Sequence, residues 1–266
     1  MLVFVIPLKS KQVASSWELV SQLFERCVKS LCNQTSAEFR VIVVCQEKPE
    51  TQFHHPHLQY IEVELPIPQG FNMRDRDLDK GSKATIGLSH AQEFSPSHVM
   101  IVDADDCVSK HLAEFVRDHP SSNGWFLEQG YEYQEGSNLI YFRKNSFYLR
   151  CGTSNIVNYQ LYPKVGEQDW YCSHHKKISQ LMLKQGNSMQ PLPFPGAVYV
   201  LNHGENLSYQ RNLSSLNPPK FPEYSWFFNQ AKATYKAIKS RSLTKSIREE
   251  FGIYPLTNKY SNRQGD

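Results

Sequence analysis

The chain has 266 residues, of which 40% are hydrophobic and 21% charged, and its formal net charge is +3. That composition belongs to a globular domain with enough chain to bury a substantial core. So mild a basic excess argues against a nucleic-acid binder, and no apolar run reaches the length of a membrane-spanning helix.

Leu2 to Leu8 is a short, continuous apolar run, the pattern of a buried strand. It is too brief for a signal peptide and lacks a basic start. Ser15-Ser-Trp-Glu18 has the form of a capping box. Trp17, Val20, Phe24 and Leu31 then recur at helical spacing. Phe39 to Cys45 reads as a second buried strand and Tyr60 to Leu65 as a third. Pro66 to Asp79 reads as a loop. Ala84, Gly87, Leu88 and Ala91 mark the apolar stripe of a second helix, and His98 to Val102 is a fourth strand. This alternation predicts an α/β fold with a mostly parallel central sheet flanked by helices.

The second half is less regular. Trp125 to Tyr133 and Leu139 to Arg143 read as strands. Gln168 to Gln185 reads as a helix ended by Gly186-Asn187, and Ala197 to Leu201 as a further strand. The tail from Tyr224 to Phe251 reads as helical and basic. Its lysine face suits contact with an anionic membrane surface, although a helix packed on the domain with solvated lysines is the simpler reading. The 6 cysteines are scattered with no C-x-x-C pair, which leads us to expect reduced thiols in a cytoplasmic protein.

Chemistry concentrates at Asp103-Ala-Asp105-Asp106, directly after the fourth strand. Ligands of open α/β sheets bind beyond the carboxyl ends of the strands. Three adjacent carboxylates repel one another, so a divalent cation with oxygen ligands is a natural partner. The bland reading is one helix-capping aspartate beside solvated ones. Lys80 and Lys83, expected at the start of the second helix, suit a phosphate, or else form a solvated basic face. Trp125, Tyr131 and Tyr133 suit either sugar stacking or core packing.

These residues carry a resemblance. His98-Val-Met-Ile-Val-Asp-Ala-Asp-Asp-Cys-Val-Ser109 resembles the D-x-D segment of family-2-like glycosyltransferases with the GT-A fold. Val3 to Leu8 resembles their opening strand, Lys80 to Leu88 the helix before their D-x-D, and Gly166-Glu-Gln-Asp-Trp170 their acceptor motif. The resemblance covers residues 1 to about 210, and the order of the motifs gives it most of its weight. It implies a GT-A, Rossmann-like domain over residues 1–215, with a nucleotide-sugar half (1–106) and an acceptor half (107–215). A basic helical extension, 216–266, would follow.

The implied activity is transfer of a sugar from a nucleotide-diphosphate donor, UDP-sugar favoured, to a hydroxyl of a glycan or other acceptor, with inversion. The implied ion is Mn²⁺ or Mg²⁺, on Asp105 first, with Asp103 on ribose or ion, His203 as a late ligand and Asp106 as a weaker candidate. Pro7, Lys80, Lys83 and Asp103 would line the donor. Asp169 would be the general base, with Glu167 in reserve. Two features depart from the pattern. The second strand ends in Cys45-Gln46-Glu47, where the family often has an aspartate on the base. In the acceptor motif, Gln168 separates the two acids. A non-catalytic nucleotide-sugar or glycan binder and a nucleotidyltransferase remain as alternatives, and the lack of a Gly-rich loop after the first strand argues against the latter.

Overall fold

Leu2–Pro7 forms β1, with five of its six residues fully buried, as expected of a strand covered on both faces. It pairs in parallel with β2 (Phe39–Cys45) on one side and with β4 (His98–Ile101) on the other. β3 (Leu58–Glu62) adds in parallel to β2. β9 (Asn155–Asn158), β6 (Gly124–Phe126) and β10 (Gln190–Pro191) complete a seven-stranded sheet in the order β10-β6-β9-β4-β1-β2-β3. β9 runs antiparallel to both its neighbours. The computed structural model describes residues 1–67, 73–162, 175–205, 231 and 234–256.

The alternating faces of β1 explain the layers. Leu2, Phe4 and Ile6 join Phe24, Cys27, Val28 and Leu31 of α1 (Trp17–Leu31) and Leu112 and Val116 of α3 (Leu112–Asp118). Val3 and Val5 join Ala84 and Ala91 of α2 (Met73–Ala91) and Ile178 and Met182 of α4 (Ile178–Lys184). At Gly87, α2 lies so close to β1 that an added Cβ would collide with Val5. The expected mostly parallel sheet between helices is therefore what the chain forms. Gly186, in the left-handed region at φ 81°, follows α4 as expected. Among the described residues no helix is long and apolar enough to cross a membrane.

A second sheet of five strands has the order β12-β8-β7-β11-β5. Its members are β5 (Cys107–Val108), β7 (Gly130–Gln134), β8 (Leu139–Arg143), β11 (Ala197–Leu201) and β12 (Arg241–Ser242).

Three expectations change. The run from Trp125 to Tyr133 is not one strand, since β6 and β7 belong to different sheets. The chain turns between them, and Gly130 leaves the space that the Phe147 ring occupies. α2 begins at Met73 rather than after Asp79. Its first turns have little apolar pattern, but Asp75 complements the helix dipole and Asp79 pairs with Lys83 one turn on.

The tail is also not one helix. Residues 231 and 234–239 are helical, but Arg241–Ser242 then pairs with β8. A short α5 (Lys245–Phe251) follows, capped by Thr244 and closed by Gly252 at φ 66°. Leu243, Ile247, Phe251 and Ile253 are buried with Tyr131, Tyr133 and Ile140. Residues 241–253 thus complete the second core instead of extending from the domain.

Candidate active site

In this sheet the chain passes from β1 to β2 on one side and from β4 to β6 on the other, so the strand order reverses between β1 and β4, and their carboxyl ends are where a sheet of this kind forms its ligand crevice. Pro7 ends β1 there, and Asp103 to Asp106 leave β4 there. The acidic turn is held rigidly. The Asp106 N–H bonds the Asp103 carbonyl at 3.1 Å, and the Asp103 N–H bonds Thr153 Oγ1 at 2.9 Å. Gly152 lies directly against the Asp103 carboxylate, and no larger residue would leave that carboxylate where it is.

The three aspartates have separate fates. Asp106 is fully buried; its Oδ2 accepts from Thr153 Oγ1 at 2.7 Å and Cys151 Sγ at 3.1 Å, and its Oδ1 from the Val200 N–H at 3.1 Å. Burial, reinforced by Asp105 and Asp103, pushes its carboxyl well above the usual range. It braces β11 against the turn and does not face a ligand. Asp103 and Asp105 keep 26% and 23% of their side-chain surface exposed, so these two can reach one.

Lys80 bonds the Asp103 carboxylate. Burial alone would lower the Lys80 pKa, but Asp103, with Asp105 and Asp106 behind it, holds it above its ordinary value. Because α2 starts early, Lys80 sits two turns inside the helix, and the helix N-terminus does not act on it. Lys83, expected beside it at the phosphate, is instead fully buried, with its ammonium on Gln46 Oε1 and Asp79 Oδ2, both at 2.8 Å. It ties α2 to the end of β2.

His203, just beyond β11, places Nε2 at 2.7 Å from Asp105 Oδ2. Burial would raise the Asp105 pKa, but the His203 hydrogen bond and charge, and then Lys9, bring it below the ordinary value. The carboxylate repulsion anticipated from sequence is thus relieved inside the protein, through Lys80, His203 and the raised pKa of Asp106.

Glu205 organises the neighbouring wall. Its carboxylate accepts from the N–H groups of Ser16 at 2.6 Å and Ser15 at 3.2 Å, and from Lys9 Nζ at 2.8 Å. Ser16 caps α1 through its side chain, accepting from the Leu19 N–H. The cap is thus Ser16 and not the Ser15 of the expected capping box, which puts Leu19 rather than Glu18 at the third helical position, and Glu205 supplies the acid on the Ser16 N–H. The Glu205 N–H also reaches His203 Nδ1 at 3.3 Å, which leaves the ring proton of a neutral His203 on Nε2, facing Asp105.

The donor chemistry of Asp105 and His203 suits a divalent ion, Mn²⁺ better than Mg²⁺. Adjacent ligands about 2.1 Å from an octahedral ion stand roughly 3 Å apart, close to the 2.7 Å found between these atoms. To ligate through Nε2, the ring has to move its proton to Nδ1 and release the Glu205 N–H. Among the described residues no three His, Cys, Asp or Glu side chains gather into a metal-binding group. The structure therefore brings together Asp105 with His203, and Asp103 with Lys80. Glu167 and Asp169 lie outside the described residues. Trp125, Tyr131 and Tyr133 are buried at 3%, 6% and 2% exposure and serve the cores, not a sugar face.

Thr153, Gly152, Lys9 and Glu205 were not singled out from sequence. Only Glu205 had a signal, its place two residues after His203. At the end of β2, both ends of the Gln46 amide are engaged, by Lys83 and by the Leu65 carbonyl, and the Glu47 carboxylate holds Ser10 and Lys11.

No family model and no curated protein sequence matches the chain. Among solved structures it is similar to S. aureus TarS, at 13% identity and a TM-score of 0.47, with 92% of this chain and 44% of that chain covered. For TarS 1–349 in complex with UDP, the identity is 12% and the TM-score 0.42, covering 81% of this chain and 65% of that one. For TarS 1–349 in complex with UDP-GlcNAc, they are 13% and 0.43, covering 78% and 60%. The chain spans less than two thirds of each of these proteins. Overlaps this loose leave the chemistry to be read from this chain's own residues.

Proposed function

We propose that the chain is a glycosyltransferase that binds a nucleotide-diphosphate sugar in the crevice beyond β1 and β4 and moves the sugar to an acceptor hydroxyl. One observation carries this reading. Two partly exposed carboxylates, one held by Lys80 and the other by His203, stand at the switch point of a mostly parallel sheet. A charged ligand with a diphosphate matches that arrangement, because each pair offers a cationic or ion-binding group where phosphate oxygens would lie.

Asp105 and His203 would hold Mn²⁺ or Mg²⁺, which would supply Lewis-acid neutralisation of the leaving diphosphate. Lys80 adds a protein cation there, released from Asp103 as the donor enters. Asp103, fixed by Thr153 and Gly152, is then free for the donor ribose or the ion. The Pro7 backbone, at the end of β1, borders the donor. Asp169, with Glu167 in reserve, would take the proton from the attacking hydroxyl, and attack opposite the leaving group would invert the anomeric carbon. A UDP-sugar is the favoured donor, although Gln46 and Glu47 are both engaged and offer the base no free acid.

A thermal-shift panel of UDP, GDP, CDP and dTDP, each with and without Mn²⁺, tests this. Ligand at a hundred times its Kd stabilises a protein by about 2.7 kcal/mol, a rise of roughly 5–10 °C for a domain this large. Such a rise with one diphosphate, only when metal is present, is the expected result. A folded sample that no diphosphate shifts would overturn the proposal.

A further inference from the structure

Glu132 lies on β7 between Tyr131 and Tyr133, whose rings face the second core, so strand alternation turns Glu132 to the opposite side. Its side chain is only 3% exposed, and three cations surround it. Arg143 Nε and Lys236 Nζ each bond it at 2.5 Å, and Arg150 Nε stands at 4.0 Å. Tyr141 supports the group, with the Arg143 guanidinium and the Lys236 ammonium each 5.7 Å from its ring centroid. Burial would push the Glu132 carboxyl up, but Lys236 and Arg143 hold it below its ordinary value. The cluster therefore has three positive charges around one negative charge.

Arg143 and Lys236 already satisfy Glu132. Arg150 is too far for a hydrogen bond to that carboxylate, and half of its side chain, 50%, is exposed. Satisfying a buried acid therefore does not account for the third cation. Position adds to this. Arg150 leads straight into Cys151, Gly152 and Thr153, the segment that braces Asp106 and abuts Asp103. Arg150, the exposed member of the cluster, is thus two residues along the chain from the glycine that touches Asp103.

We propose that Arg143, Arg150 and Lys236 form an anion subsite that receives a phosphate group carried by the acceptor. This rests on the transferase reading, which makes the neighbourhood of Asp103 the place where an acceptor arrives. Guanidinium groups suit phosphate through paired hydrogen bonds, and Glu132 keeps the cations gathered when no phosphate is present. The phosphate could belong to a soluble acceptor or to an anionic lipid. Tyr235 and Ile238, on the same helical stretch as Lys236, are exposed at 56% and 74%, so both sources need an arm in the test.

The test uses the full chain, metal-free, titrated by calorimetry with inorganic tripolyphosphate and, separately, mixed with vesicles of phosphatidylcholine containing phosphatidylglycerol. Arg150→Gln is the main variant, because half-exposed Arg150 makes no hydrogen bond that the fold needs; Arg150→Lys is the conservative one. Lys184→Gln, a surface change of equal charge, is the control. A charge-assisted contact of this kind predicts that Arg150→Gln weakens binding about fivefold or more, with Arg150→Lys in between and Lys184→Gln unchanged. Loss in the tripolyphosphate arm alone places the phosphate on a soluble acceptor, and loss in the vesicle arm places it on a lipid. Equal binding by wild type and Arg150→Gln in both arms, or no binding in either, overturns the subsite. The diphosphate panel is read separately, so failure of the transferase reading would show there and not here.

Discussion

His203 Nε2 donates to Asp105 Oδ2 across 2.7 Å and 98 residues of sequence, joining the end of β11 to the turn after β4. The contact ties the two sheets together at the crevice. It also makes the two side chains interdependent, because removing either takes from the other its side-chain hydrogen-bond partner in a largely enclosed place.

That interdependence gives the first prediction. Asp105→Ala is expected to abolish metal-dependent nucleotide binding while the protein stays folded. His203→Ala should do most of the same damage, and the double variant should be little worse than Asp105→Ala, as residues acting as a unit are non-additive. Calorimetry with UDP and Mn²⁺ checks this. Wild-type affinity in Asp105→Ala would remove the residue from the site.

Gly152 tests the placement of Asp103. An added methyl would fall on the Asp103 carboxylate, the movable end of a side chain, so the fold should tolerate Gly152→Ala. The carboxylate, however, must leave its position beside Lys80. Donor affinity is expected to fall about tenfold, equivalent to ~1.4 kcal/mol, with little change in Tm. Undiminished donor affinity would show that the Asp103 orientation is immaterial.

The sheet was legible because β1, Val41 to Cys45 of β2 and Val99 to Val102 at β4 are buried on both faces and so appear as unbroken apolar runs. The acidic turn was legible because it follows such a run. The start of α2 was not, since Arg74 to Asp79 has no apolar period and charge pairs support the helix there. Nor could sequence show that Lys83 is buried, because its partner Gln46 is 37 residues away. Glu205 and Ser16 lie 189 residues apart, and Thr153 lies 47 from Asp106, so local patterns carry no trace of either contact. Asp106 looked like its neighbours. Only packing against Cys151, Thr153 and Val200 separates it from them.

The proposed base is open to a kinetic test. Asp169→Asn should keep nucleotide binding and slow sugar transfer by roughly a hundredfold or more, the usual contribution of a general base. A variant with wild-type turnover would pass the role to Glu167 or elsewhere, and Glu167→Gln measured in parallel distinguishes the two.

Glu205→Gln removes the charge that serves two N–H groups at the start of α1 and the Lys9 ammonium. Bonds to a charged acceptor are stronger than neutral ones, so a loss of about 1–3 kcal/mol is expected. Denaturant unfolding measures it. A change within a few tenths of a kcal/mol would mean that the amide replaces the carboxylate fully.

His98 gives the fold a dependence on acid. The ring is fully buried on β4, 4.9 Å from the Trp125 ring, with Nε2 donating to the Ser122 carbonyl at 2.9 Å. Burial lowers its pKa from 6.5 to about 4, against the opposing pull of that carbonyl and with a small push from the N-terminal charge. Since the folded value is depressed, the unfolded chain takes up the proton first. The contribution is intact above pH 6.5 and is lost as the pH falls from 6.5 towards 4, at up to about 1.4 kcal/mol per pH unit. Urea unfolding at pH 7, 6, 5 and 4.5 should therefore show declining stability, and His98→Gln should flatten the decline while lowering stability at pH 7. A variant with the same pH slope as wild type would assign the acid sensitivity to other groups.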